Sequence, residues 1–438
     1  MQPMTTITPP MSPARAREIA ASFDLRALPA DFYANPYPVY ALLRETAPVR
    51  RMPDGSYFLT RYADLVAVYR DAQTFSSDKK VEFTPKYGGP FGSDGKVPPL
   101  LEHHTTSLVF NDPPLHTRVR KLIMGALTRR AITDMEPGLV TLVDSLLDAI
   151  EARGGGDLIE DFASAIPVEI IGNLLGVPHA DRGPLRDWSL TILGALEPKL
   201  TPEQEALGNH SVSEFTAYLQ TLVAERRRRP GDPEHDVLTR LIQGEEAGEK
   251  LSETELLQNC VFILNAGHET TTNLIGNALV ALQEWPAARE HLLSKVKLPA
   301  QSPQGLEPDL AVEIDEFLRF ESSNQLGNRR ALKACQVGGV DLPEGALLTL
   351  CIGAANRDPA QFEHPEQLDL TRENNRHLAF GFGIHQCAGL SLARLEGRIA
   401  VGRFLQRFPD YRLTAAPTRG GRARFRGFLN APFAAGSS

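Results

Sequence analysis

Cysteine is scarce in this 438-residue chain: only Cys260, Cys335, Cys351 and Cys387 occur, far apart and without a CxxC pair. That spacing excludes a disulfide framework and a paired-cysteine zinc knot, and it fits a reducing compartment, so a cytoplasmic location is expected. Positive charge is not in excess either. Forty-six Lys and Arg stand against 54 Asp and Glu, a net charge of -8, which argues against nucleic acid or an anionic membrane surface as a partner. No run approaches the roughly 18 to 20 consecutive apolar residues needed to cross a bilayer. The opening MQPMTTITPPMSPARAREIAASF has no apolar core of the kind a signal peptide carries. No GxGxxG opens a helix after a strand, since Gly381 and Gly383 are followed by Gln386 where the third glycine belongs. A fused nicotinamide or flavin domain is therefore not expected.

What is present suits a globular chain with a large core, 42% hydrophobic and 23% charged. Residues 1–24 are expected to form a flexible N-terminal segment and 25–438 a single domain, mainly α with minor β, an α+β arrangement of helices with small sheets. NPYPVYALLRE and RYADLVAVYRDA have helical periodicity around an alternating SYFLT strand. Val81 to Pro114 is rich in Gly and Pro, and so long a loop is expected to be functional, a lid over a substrate. Helical periodicity then runs from Leu115 to about Arg229, broken by GGGD at Gly154–Asp157 and by turns near Pro178 and Pro202. ERRRRPGDPEHD is expected to be a solvated helix end. Short strands are expected around ALKACQVGGVDLPEGALLTL, after the Pro-rich KLPAQSPQGLEP and a helix from about Pro308 to Phe320. A final long helix should run from about Ala388 to Phe408.

Two segments break the ordinary rules. Ser252 and Glu255 form a capping box before an apolar helix that continues to about Leu282. Apolar residues occupy most of its faces, so it should be central and buried. Yet its middle holds Asn265, Gly267, His268, Glu269, Thr270, Thr271 and Thr272. A glycine there costs roughly 1 kcal/mol against alanine, and a buried glutamate needs a partner or a proton. His268–Glu269 could begin an HExxH zinc site, but Thr272 occupies the second histidine's place. The other segment, FGFGIHQCAG at Phe380–Gly389, is a glycine-rich loop ending in a cysteine where a helix begins. The free N–H groups and positive dipole end of that helix favour a thiolate, the form that binds metal. Gly381, Gly383 and Gly389 let backbone approach a flat group closely.

FGFGIHQCAG resembles the heme-binding signature of the cytochrome P-450 superfamily, with Phe382 where soluble members often have histidine. AGHETT, Ala266–Thr271, is similar to that family's oxygen-activation motif, and DPPLHTRVR at Asp112–Arg120 to its DPPxHxxxR pattern. ExxR at Glu316 and Arg319 and the NRDP coil complete five motifs in the family's order, spanning about residues 25–435.

The resemblance implies the family's fold, with the long central helix over heme b (iron protoporphyrin IX). Cys387 would be its axial ligand and only protein metal donor. His116, Arg120, Ala266, Arg329, Phe380, Gly381, His385 and Gly389 would complete the cofactor site, with Arg330 the alternative to Arg329. No CxxCH attachment site occurs, so binding would be non-covalent. Thr270 would hydrogen-bond bound dioxygen while Glu269 relays protons. Glu316 and Arg319, joined by Arg372, would lock the coil beneath the heme. By family position Phe262, Asn265, Asn324, Gln325, Phe428 and Leu429 would contribute to the substrate pocket, although Asn324, Gln325 and Asn328 could equally serve the turn backbone.

The implied activity is a monooxygenase inserting one atom of O2 into a small, largely apolar organic substrate, by hydroxylation or oxidative dealkylation. Electrons would come from a ferredoxin and ferredoxin reductase, with Arg118, Lys121, Arg129, Arg130, Arg394 and Arg398 as a basic docking face. A monomer is expected, with no membrane and no nucleic acid. Two other functions compete: a heme-thiolate enzyme doing coupling, desaturation or peroxide-driven oxidation, and a non-catalytic heme carrier or sensor.

Overall fold

The computed structural model describes residues 9–92, 95–233, 236–244, 248–297 and 309–436, apart from the side chain of Arg129. The Pro-rich segment after Lys297 and part of ERRRRPGDPEHD lie outside them. The chain groups into two compact units, residues 1–75, 137–166 and 270–438, and residues 76–136 and 167–269.

In the first unit Pro13–Ala21 is a helix, capped by the Ser12 side chain on Arg15 N–H. Ala16, Ile19 and Ala20 recur at helical spacing and are buried, and Phe23 packs on Phe58 at 4.9 Å, so this helix is docked by its own apolar face. Tyr57–Leu59, all three buried, pairs antiparallel with Val49–Arg51 and parallel with Leu347–Cys351, which in turn pairs antiparallel with Leu326–Ala331. The two-residue strand Phe75–Ser76 lies at the edge of this sheet.

Residues 155–157, read from sequence as a break, form a strand paired with Pro432–Ala434, which also pairs with Arg412–Leu413. Nothing in GGD has strand propensity. The tertiary partner decides the outcome, and a Cβ at Gly155 would overlap the Phe433 carbonyl. The last long helix, Leu390–Arg407, is tied to the helix Glu136–Arg153 by a two-pronged Arg403–Asp144 pair at 2.6 Å and by Arg407 on Asp148 and Glu151.

The second unit is helical. The expected lid between Val81 and Pro114 is largely ordered into helices Lys80–Lys86 and Pro99–Thr106 and a turn at Leu108–Phe110. In PLLEHHTT a proline at the first helical position starts the helix, and Leu100, Leu101, His103 and His104 bury one face. Thr201 and Gln204 form a capping box for the helix Pro202–Arg228, whose Phe215 stacks on Trp188 at 5.1 Å.

The central helix is Glu253–Glu284, 32 residues and about 48 Å long at 1.5 Å per residue. Ser252 and Glu255 cap it reciprocally, at 2.8 and 3.2 Å. Residues up to 269 belong to the second unit and those from 270 to the first. Among the described residues no helix is long and apolar enough to cross a membrane.

Candidate active site

The cysteine loop lies in the first unit. Gly381 and Gly383 both take positive φ, +66° and +72°, which turns the chain tightly enough for Cys387 N–H to donate to Phe380 O at 2.9 Å. A Cβ on Gly383 would overlap the backbone carbonyl of Tyr69, so the loop is pressed against the helix Tyr62–Arg70. Cys387 is half-buried and stands just ahead of Gly389, the N-cap of the helix Leu390–Arg407, rather than inside it. Phe380 is held between His377 and Arg394, whose guanidinium lies 4.9 Å from its ring and pairs with Asp315 at 2.7 Å. His385 is half-buried in the turn Gly383–His385. Arg329 lies over the Tyr69 ring at 5.0 Å and donates to Asn328 O.

The coil before this loop is fixed from inside. Glu316 and Arg319 have fully buried side chains and meet through two hydrogen bonds of 2.8 Å. Arg372, Asn375 and the Asp369 N–H also donate to the Glu316 carboxylate. Asn356 of the NRDP coil joins Leu378 N–H to Ser322.

Also in this unit, Thr270 O accepts the Ser323 hydroxyl at 2.8 Å. Two of the polar residues after it bond the turn backbone, Gln325 donating to Ser322 O and Asn324 accepting from Leu326 N–H, whereas the Asn328 side chain bonds the side chains of Thr349 and Arg424. Phe428 is buried under the Arg419 guanidinium, whereas Leu429 is 50% exposed. Neighbours in a strand face opposite sides, so these two do not share one pocket wall.

In the second unit Asp112 anchors the DPP turn by accepting from the Ser76 hydroxyl and Ser77 N–H. His116 is buried and Arg120 half-buried on the helix Leu115–Ala126. On the central helix Asn265, His268 and Glu269 are buried, and Phe262 and Ala266 half-buried. Gly267 has a packing reason, since a Cβ there would overlap Ile171.

A polar network here went unnoticed in the sequence. His103 Nδ1 bonds Gln258 Oε1 at 3.0 Å, Gln258 Nε2 donates to Glu102 at 3.1 Å, and Asn265 Nδ2 faces His103 Nε2 at 3.5 Å. Burial pushes the His103 pKa down to about 4. The available signal was Gln258 and Asn265 seven apart on an apolar helix, hence on one face. Glu396, on the helix after the cysteine loop, was also missed: burial raises its pKa to about 8.

These residues fit an iron porphyrin. Cys387, a half-buried thiol at the end of the glycine turn and just ahead of a helix N-terminus, is the kind of soft donor that an iron porphyrin takes from a protein. The positive-φ glycines keep side chains off the backbone beside it.

A helical protein with small sheets and a lone thiol at the mouth of a glycine loop defines a heme-thiolate class, and the comparisons with known proteins agree. The family model "Cytochrome P450" matches residues 192–411. Cytochrome P450 107B1 of Saccharopolyspora erythraea is 37% identical over 402 residues, 90% of this chain and 93% of that protein. The structure of P450BioI in complex with hexadec-9Z-enoic acid ligated acyl carrier protein aligns at TM-score 0.83 and 30% identity, covering 93% of this chain and 100% of that one. CYP109E1 of Bacillus megaterium in complex with testosterone aligns at TM-score 0.80 and 28% identity, covering 94% and 100%. The chain belongs to the cytochrome P450 family. It has that family's fold, its cofactor is cysteine-ligated heme b, and it is an oxidoreductase that incorporates oxygen.

Proposed function

We propose that Cys387 is the axial thiolate and that the enzyme monooxygenates a small, largely apolar organic molecule, by hydroxylation or oxidative dealkylation. The observation that carries this is the cysteine loop: a half-buried thiol ahead of a helix N-terminus, on a turn that only glycine at 383 permits. The heme, when bound, supplies the oxygen activation and redox chemistry that no side chain can. Cys387 gives an anionic sulfur, stabilised by the N–H groups and dipole at the start of Leu390–Arg407. His116, Arg120, Arg329 and His385 supply cationic or hydrogen-bonding partners for propionates. Ala266, Phe380, Gly381 and Gly389 make room for the ring. Glu269 holds and moves protons, and the Thr270 hydroxyl positions dioxygen.

The apolar substrate class is supported by the acyl-chain and testosterone complexes of the two structural relatives. We assign the electron supply to a separate donor, a ferredoxin with its reductase. The basic docking face draws less support. Arg118 is paired with Glu249 and Glu255, Arg394 with Asp315, Arg398 with Asp309, and the 72% exposed Arg130 with Asp134. A cytoplasmic monomer completes the reading.

Purified, heme-loaded protein should give the red-shifted ferrous carbon monoxide band of thiolate coordination and turn over with dioxygen and a surrogate ferredoxin system. Loss of that band in Cys387→Ser is expected. Turnover only with added peroxide would favour the peroxide-driven alternative, and a colourless protein after heme supplementation would sink the proposal.

A further inference from the structure

The network around His103 has a direction, and that direction selects a substrate chemistry. Its four members lie on two helices of the second unit, Glu102 and His103 on Pro99–Thr106 and Gln258 and Asn265 on the central helix. At one end is the Glu102 carboxylate, which only accepts. Gln258 must therefore turn its NH2 to Glu102, at 3.1 Å, and its oxygen to His103. An amide oxygen only accepts, so the proton of the His103 ring sits on Nδ1, 3.0 Å from Gln258 Oε1. The Ser107 hydroxyl agrees: it donates to His103 O at 2.6 Å and leaves its oxygen toward Nδ1 at 3.4 Å. Burial keeps the ring neutral, so Nε2 carries a lone pair and Asn265 presents its NH2 to it, at 3.5 Å. Every orientation is thus fixed by the one before. The end of the relay is Asn265 Oδ1, an acceptor in a side chain 1% exposed, with no hydrogen-bond partner among the described residues.

We propose that Asn265 Oδ1 is a specificity contact that accepts a hydrogen bond from a hydroxyl or N–H group on a neutral substrate, and that Glu102, Gln258 and His103 are positioning residues that keep it an acceptor. This rests on the monooxygenase reading above and narrows its substrate to apolar molecules carrying a donor. A carboxylate or a ketone at that position would set acceptor against acceptor. Without the relay, Asn265 could present either end of its amide and read neither.

The test uses heme-loaded, full-length protein and probes anchored at the iron: ω-hydroxyalkyl imidazoles of increasing chain length, each with its methyl ether and its methyl ketone. Imidazole ligation shifts the heme absorption band, which gives Kd directly. At one chain length the alcohol should bind about tenfold more tightly than either partner, equivalent to about 1.4 kcal/mol. Asn265→Leu should bring the three within about twofold. Gln258→Leu frees the ring to move its proton to Nε2 and the Asn265 amide to turn over, and should abolish or reverse the preference for the alcohol. Equal binding at every length, which would mean that only water meets Asn265, overturns the contact. A preference that survives Asn265→Leu does the same, and one that survives Gln258→Leu overturns the positioning roles. A second readout needs no heme: ¹⁵N shifts of His103, assigned by difference from His103→Gln, should show the Nδ1–H form, and an Nε2–H form overturns the relay. Failure of the monooxygenase reading is separate, since it appears as a missing ferrous carbon monoxide band.

Discussion

Arg319 has all five N–H donors engaged, two on the Glu316 carboxylate and three on the carbonyls of Asn356, Pro365 and Gln367, at 2.8 to 2.9 Å. Surface ion pairs contribute little. This one joins the helix Ala311–Phe320 to three points of the coil that leads to the cysteine loop, and both of its side chains are fully buried. Arg319→Lys keeps the charge but offers three donors. It should cost about 3 kcal/mol or more, the range for a broken buried pair. Denaturant unfolding measures this, and a loss under about 1 kcal/mol would show that the coil does not depend on the fork.

At Gly383 the constraint is backbone against backbone. Alanine would need both a positive φ and room where the Tyr69 carbonyl sits, and no rotamer relieves that. Gly383→Ala should lose at least about 2 kcal/mol of stability and much of its bound heme, seen as a reduced ratio of heme to protein absorbance. Retained heme at full occupancy would show that the loop can shift without consequence.

The His103 ring ties stability to pH in one direction. Its folded pKa, about 4, lies below the unfolded value near 6.5, so between these limits the unfolded chain binds more protons. Stability from this residue is complete above about pH 6.5 and falls with decreasing pH toward 4, by on the order of 3 kcal/mol in all. Unfolding measured across that window should be flatter in His103→Gln, and an unchanged slope would place the ring in wetter surroundings.

Glu396 acts with the opposite sign. Its folded pKa is raised to about 8, and Oε2 has no partner among the described residues. Its neutral form is favoured on folding, so stability is present below the unfolded value near 4.5 and is lost as pH rises through 8. Glu396→Gln should therefore gain stability at pH 8 relative to pH 5, by roughly 2 to 3 kcal/mol. Equal stability of the two proteins at both pH values would show that the carboxylate finds a partner.

Thr270→Ala should keep its heme but divert electrons to hydrogen peroxide, raising peroxide formed per reduced nicotinamide consumed by severalfold. Glu269→Gln should slow turnover by about a hundredfold. Wild-type coupling in the first, or a wild-type rate in the second, would remove that residue from the proton path.

Much of this was legible in the sequence because local rules carry it. The capping box at Ser252, the glycines of FGFGIHQCAG and the apolar periodicity of the central helix are each decided by a few neighbouring residues. The Gly155–Asp157 strand was not legible: the strand it pairs with stands some 275 positions along the chain. Gly267 was misleading in part, because a functional motif and the closeness of Ile171 ask for the same residue.

The sequence by itself determined the long central helix and the last long helix, where the thiol stands and which family the motifs resemble, since those follow from spacing and backbone propensity. Only the tertiary structure decided that Glu316 and Arg319 are dry, that Asn324 and Gln325 serve their own turn, and that Asn265 ends a relay begun at Glu102. A hydrogen bond's direction depends on every partner in its chain, and those partners meet only when distant segments pack.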